Sequence, residues 1–75
     1  MPQRLLIVPD YRSYRIEVTA VRVDGAWDAN IRVRHTFSDM QPHLEVVTCR
    51  KPTAKAAEER AAVYARRWVD RHRAG

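Results

Sequence analysis

Apolar and polar residues alternate over two stretches of this chain, separated by a turn. In the first stretch, residues 14–20, the polar side chains are Arg15, Glu17 and Thr19. The alternating apolar residues form a predicted core face of a half-buried strand: Tyr14, Ile16, Val18 and Ala20. Apolar residues then change phase at Val21 and Val23, which predicts either a bulge near Ala20 or a strand end with two apolar faces.

The turn between the two stretches is Asp24-Gly25. This dipeptide between alternating runs predicts a β-hairpin, because glycine tolerates the positive φ that a tight turn requires. The second stretch has the clearest alternation in the chain. Its predicted core face consists of Trp27, Ala29, Ile31, Val33, His35 and Phe37.

Two further segments favour extended structure. Residues 1–13 contain the apolar run Leu5 to Val8 followed by Pro9-Asp10, which predicts a short N-terminal arm or edge strand. Residues 43–50 are apolar on both faces in their middle, which predicts a third, partly covered strand of the main sheet.

The C-terminal segment predicts a helix from Thr53 to about Arg73. Pro52 ends the preceding strand, and the Thr53 hydroxyl is suited to cap the first free amides of a helix that begins at Ala54. At about 100° per residue, one arc collects the residues expected to pack on the sheet: Ala54, Ala57, Ala61, Tyr64, Ala65, Trp68, Val69 and His72.

These elements predict a single α+β domain in the order βββα. Residues 14–50 form a three-stranded antiparallel sheet, which residues 1–13 can extend by one strand, and the helix of residues 53–73 crosses one face. A chain of 75 residues is long enough for one domain only.

Charge is distributed unevenly along the chain. Residues 1–49 carry six basic and six acidic side chains, whereas residues 50–75 carry eight basic and three acidic ones, so the C-terminal third accounts for the net charge of +5. On the predicted helix, Arg60, Arg67 and Arg71 form a stripe along one flank. Glu59 and Asp70 instead lie among Lys55, Arg66 and Arg73, where helix-surface ion pairs are expected.

The stripe has two interpretations. It is either a surface that follows phosphates or an ordinary solvated helix face, whose last arginines complement the negative end of the helix dipole. The outer sheet face is the second candidate surface, and its mixed charge is also typical of a solvated sheet. The side chains expected there are Arg15, Glu17, Thr19, Asp28, Asn30, Arg32, Arg34, Thr36 and Glu45.

A three-stranded sheet backed by one helix, over residues 14–73, resembles the AP2-type and phage-integrase N-terminal domains. That resemblance implies a sheet whose side chains enter the DNA major groove. The chain also resembles small bacterial proteins of unknown function that have a basic, Ala-rich terminal helix, a likeness that implies no activity.

Catalytic, metal and cofactor chemistry is not predicted. His35, His43, His72 and Cys49 lack the spacing of known metal sites, and with two glycines the chain has no phosphate-binding glycine loop. His43 and Cys49 are too far apart along one strand to act together. The unpaired Cys49 favours a reducing compartment such as the cytoplasm, and Leu5 to Val8 is too short to enter a membrane.

We therefore expect a non-enzymatic protein that binds the phosphate backbone of DNA or RNA. Binding is expected to be led by Arg60, Arg67 and Arg71, with help from Lys51, Lys55, Arg32 and Arg34. The alternative is a protein-interaction or homodimerisation module that uses a sheet edge, or apolar surface exposed at Val21, Val23 and Val47.

Overall fold

A computed structural model describes residues 4–72 as four strands and one helix. The elements are β1 (Arg4–Tyr11), β2 (Tyr14–Val23), β3 (Ala26–His35), β4 (His43–Lys51) and α1 (Ala54–His72). The strands form one antiparallel sheet in the order β1-β2-β3-β4, with α1 packed across one face. This confirms the predicted α+β fold, and the N-terminal segment is the fourth strand, at a sheet edge.

The predicted hairpin is β2 and β3. The two strands pair without a register shift from Tyr14 opposite His35 to Val23 opposite Ala26. The backbone φ angles of Asp24 and Gly25 are 51° and 79°, as a two-residue turn with two left-handed positions requires. The bulge expected near Ala20 does not occur in the pairing of β2 with β3. The alternative, a strand end with two apolar faces, is confirmed.

Irregular pairing occurs instead in the two edge strands. In β1 the register shifts between Val8 and Tyr11, a span that includes Pro9, which has no N–H to donate to a neighbouring strand. In β4 the shift lies opposite Asp28. There Asp28 Oδ1 accepts hydrogen bonds from the amides of Cys49 and Arg50, each 2.9 Å long. The carboxylate thus replaces backbone partners that the irregular strand lacks.

The core lies between α1 and the sheet face that α1 covers. Along α1, small alanine side chains bring the helix close to the strands, and Val69 packs near its C-terminal end. Tyr64 and Trp68 cover the margin of this core and are half-buried. The buried apolar residues of the core are Ile16, Val18, Ala20, Ala29, Ile31, Val33, Val47, Ala54, Ala57, Ala61, Ala62, Ala65 and Val69.

Five sequence-based assignments were wrong. β3 ends at His35, so Thr36 and Phe37 lie in the following turn rather than on the two sheet faces, and Phe37 is 81% exposed rather than in the core. Val47 is buried rather than exposed. Glu45 lies on the helix-covered face, because it is opposite the buried Ile31. His72, placed in the core arc, is exposed at the end of α1.

The beginning of α1 is as predicted. The Thr53 hydroxyl oxygen accepts a hydrogen bond of 3.1 Å from the Ala56 amide, which satisfies one of the free N–H groups of the first turn. The helix then runs antiparallel to β4, from Ala57 beside Cys49 to Trp68 beside His43. Within residues 4–72, α1 has too many polar residues to be a membrane-spanning helix.

Candidate nucleic-acid interface

Three arginines occupy one flank of α1, and we call Arg60, Arg67 and Arg71 the basic flank. All three are exposed. At about 1.5 Å of rise per residue, their Cα atoms are separated along the helix axis by about 10 Å and then about 6 Å. The basic flank therefore covers roughly 16 Å of the helix surface.

The basic flank lies on the side of α1 nearest β4. Tyr64 and Trp68, which adjoin the flank on the helical projection, contact Glu45 and His43 of β4. The other side of α1 faces β1, because the Tyr11 hydroxyl donates to both oxygens of Asp70, at 3.1 Å each. The basic flank thus runs beside the free edge of β4.

No ion pair among the described residues neutralises the basic flank, although the Glu45 carboxylate of β4 interacts electrostatically with Arg71. Among residues 4–72, none of its three arginines forms an ion pair with a carboxylate. Asp70, expected to pair along the helix, forms an ion pair with Arg12, at 3.1 Å from Arg12 Nε to Asp70 Oδ1. This partner comes from the β1–β2 region, which the helix-surface prediction did not include. Arg73, which lies three residues after Asp70, is outside the described residues, so a pair between Asp70 and Arg73 stays a prediction.

The other predicted binding residues lie in three different places. Lys51, at the end of β4, and Arg60 both act electrostatically on the Cys49 thiol, so Lys51 extends the basic flank towards the helix start. Lys55 lies about 140° around the helix from Arg60, on the opposite flank. Arg32 and Arg34 lie on the outer sheet face, which α1 does not cover.

The outer sheet face has more internal charge compensation than the basic flank. Arg15 Nε lies 3.0 Å from Glu17 Oε2, and Glu17 is directly opposite Arg32 in the sheet. These residues and Arg34 surround a shallow cavity of about 220 Å³. The Glu17 carboxylate lies among these arginines and offsets part of their positive charge.

Glu45 links β4 to α1 beside the basic flank. The Tyr64 hydroxyl donates to Glu45 Oε2, and His43 Nε2 lies 2.8 Å from Glu45 Oε1. The hydrogen bond from Tyr64, followed by that from His43, lowers the pKa of Glu45, and the same contact with Glu45 raises the pKa of Tyr64. The carboxylate therefore favours its ionised form in the folded protein.

We expect this network to make folding sensitive to acid. A lowered carboxyl pKa contributes stability above the unfolded pKa of about 4.5, and that stability is lost as the pH falls through the folded pKa. Glu45→Gln should lower the free energy of unfolding at pH 7 by about 1 kcal/mol or less, given partial exposure to solvent. Urea unfolding from pH 7 to pH 3 should show a smaller acid-dependent loss in Glu45→Gln than in wild type. Equal losses in both proteins would contradict this role of Glu45.

Three rings stack at the C-terminal end of α1, and we call His43, Trp68 and His72 the ring column. The Trp68 ring centroid is 4.4 Å from that of His43 and 4.1 Å from that of His72, with interplanar angles of 16° and 11°. Sequence reasoning did not find this cluster. The spacing of Trp68 and His72 places them one helical turn apart, but His43 joins them only through the packing of α1 on β4.

Among residues 4–72, the hydrogen bonds of the Cys49 thiol go to backbone carbonyl oxygens and not to a side-chain base. Its thiol sulfur lies 3.4 Å from the Val47 carbonyl oxygen and 3.8 Å from that of Ala57. Burial, and then the nearby Asp28 charge, raises the pKa of the thiol, which disfavours the reactive thiolate. Cys49 acts as a half-buried packing residue between β4 and α1.

No protein-family profile, curated protein or solved structure matches this chain. The resemblance to AP2-type and integrase N-terminal domains therefore rests on the arrangement of the sheet and the C-terminal helix alone. Function has to be argued from the surfaces described above.

Proposed function

We propose that this protein is a small non-enzymatic binding protein that contacts the phosphate backbone of DNA or RNA through the basic flank, Arg60, Arg67 and Arg71. The observation that supports this best is the exposure of three arginines on one side of α1, none of which forms an ion pair with a carboxylate among residues 4–72. Arginine suits this role because its planar guanidinium can donate two hydrogen bonds to one phosphate. Lys51 adds a positive charge at the end of the basic flank nearest the start of α1.

The helix dipole does not account for the whole basic flank. A cation is stabilised by the dipole only within about the last turn, which in α1 includes Arg71. Arg67 lies more than one turn before the helix end, and Arg60 lies in the first half of α1. A polyanion bound along this side of α1 accounts for the positions of all three arginines. As part of the same proposal, we place the protein in the cytoplasm, where nucleic acid is present and Cys49 stays reduced.

Fluorescence anisotropy tests the proposal. Labelled single-stranded RNA, single-stranded DNA and duplex DNA are titrated with the protein at low and at near-physiological salt. We expect micromolar binding at low salt to at least one polymer, weakened at higher salt because bound counterions are released. Absence of binding to all three at low salt would contradict the proposed function.

Self-association through the outer sheet face is a second candidate function. Four aliphatic side chains are exposed at the two edges of that face, Leu5 and Ile7 on β1 and Leu44 and Val46 on β4. A second copy of the chain could bury them. Light scattering on wild type and on Leu44→Glu separates the candidates, because a dimer lost in Leu44→Glu supports self-association and a monomeric wild type excludes it.

A further inference from the structure

The ring column is held in place before any ligand binds. His43 is fixed by its 2.8 Å contact with Glu45, and His72 Nδ1 lies 2.8 Å from the Trp68 carbonyl oxygen, to which it donates. Both faces of the Trp68 ring are covered by imidazoles. The stack therefore has a fixed geometry. Few side chains would lose conformational freedom when another ring stacks on it.

His72 is the end of the ring column that remains open to solvent. One face of its imidazole lies against Trp68, and the residue is exposed. The three rings also line a cavity of about 360 Å³, which is at the small end of the range for small-molecule sites. Other residues that line this cavity are Tyr14, His35 and Met40.

The basic flank leads directly to this open ring. At 100° per residue, Trp68 lies about 60° around the helix from Arg71, and His72 lies about 40° further round, one turn towards the C-terminal end. A backbone that follows the flank from Arg60 therefore reaches the ring column at the end of α1. Aromatic rings beside a track of positive charge are the usual elements of single-strand binding, in which bases stack while arginines contact phosphates.

We propose that the preferred polymer is single-stranded and that one of its unpaired bases stacks on the exposed face of His72, as the fourth ring of the column. This inference rests on the proposed function, because the basic flank must hold the backbone. A base in a duplex is already paired and stacked between its neighbours, so it cannot join the column. Stacking of this kind accounts for a factor of about 5 to 150 in affinity per base.

The test compares two single-stranded probes with the same phosphates, an oligoadenylate and an abasic oligomer of equal length. Wild type should bind oligoadenylate about 5- to 150-fold more tightly than the abasic oligomer. His72→Leu, which keeps that face of Trp68 covered by a side chain without a ring, should bind both probes with the affinity that wild type has for the abasic one. His72→Phe should restore the preference for oligoadenylate, which distinguishes stacking from a general effect on the helix end.

A spectroscopic measurement tests the same assignment. In a Trp27→Phe background, fluorescence reports Trp68 alone. Oligoadenylate should change it, and the abasic oligomer should not. If wild type binds both probes equally and the Trp68 fluorescence of the Trp27→Phe protein does not respond to oligoadenylate, the stacking proposal is overturned and the proposed function stands. If neither probe nor duplex DNA binds, the proposed function itself fails.

Discussion

Replacing Ile31 with alanine is expected to lower the free energy of unfolding by about 2 to 5 kcal/mol. Ile31 lies in a central strand with 2% of its side chain exposed, and it packs in the cluster formed with α1. A domain of 75 residues has a total stability of only about 4 to 11 kcal/mol. Urea denaturation followed by circular dichroism should therefore show a large shift of the midpoint, or a chain already unfolded in water.

Ile7→Ala is the matched control, because it removes the same atoms from a side chain that is 40% exposed on the outer face of β1. Its effect should be clearly smaller, since fewer packing contacts are lost. If Ile7→Ala proved as destabilising as Ile31→Ala, the core would not lie solely between α1 and the inner sheet face. That result would indicate that the outer face is covered in solution, as the self-association candidate requires.

Reversing two charges of the basic flank, with Arg60→Glu and Arg67→Glu together, should weaken nucleic-acid binding about 100-fold at low salt. Each phosphate contact contributes a factor of about 5 to 8 at 0.1 M salt through counterion release, and an introduced carboxylate also repels the backbone. Both arginines are exposed, so the fold should remain intact. Anisotropy gives the affinity, and the thermal unfolding midpoint verifies the fold.

The control variant for this charge reversal is Arg32→Glu with Arg34→Glu. It removes the same amount of charge, lowering the net charge from +5 to +1 because each substitution changes it by two. Its substitutions lie on the outer sheet face, away from α1. Affinity should fall less than about 5-fold, by the general loss of long-range attraction alone. If this variant lost as much affinity as Arg60→Glu/Arg67→Glu, or more, the outer sheet face would be the binding surface.

Much of the fold follows from local signals in the sequence. The Asp24-Gly25 turn sets the hairpin register, the period-2 alternation defines the buried face of β2 and β3, and Thr53 marks where α1 begins. Each of these signals acts between residues close in sequence. These signals can therefore be recognised in the sequence without knowledge of the tertiary packing.

Features that depend on long-range packing could not be predicted in the same way. β4 is apolar on both faces, so its alternation does not show that Glu45 and Val47 face α1 while Leu44 and Val46 face solvent. Asp70 looks like a partner for neighbouring helix residues, yet Tyr11 and Arg12 reach it from the β1–β2 turn region.

The candidate site shows the same division between local and long-range information. The helical period alone groups Arg60, Arg67 and Arg71 on one flank. The ring column needs His43 of β4, which lies 25 residues before Trp68 in the chain. Only the packing of α1 against β4 joins these two segments into one surface.

The salt dependence of binding tests the central claim most directly. Affinity for single-stranded RNA is measured by anisotropy across a range of salt concentrations, for wild type and for a variant with Arg60, Arg67 and Arg71 all replaced by glutamine. Three phosphate contacts predict a slope of log affinity against log salt of about −2 in wild type, and a slope near zero in the variant. The same slope in both proteins, or no measurable wild-type binding, would contradict a phosphate-binding role for the basic flank.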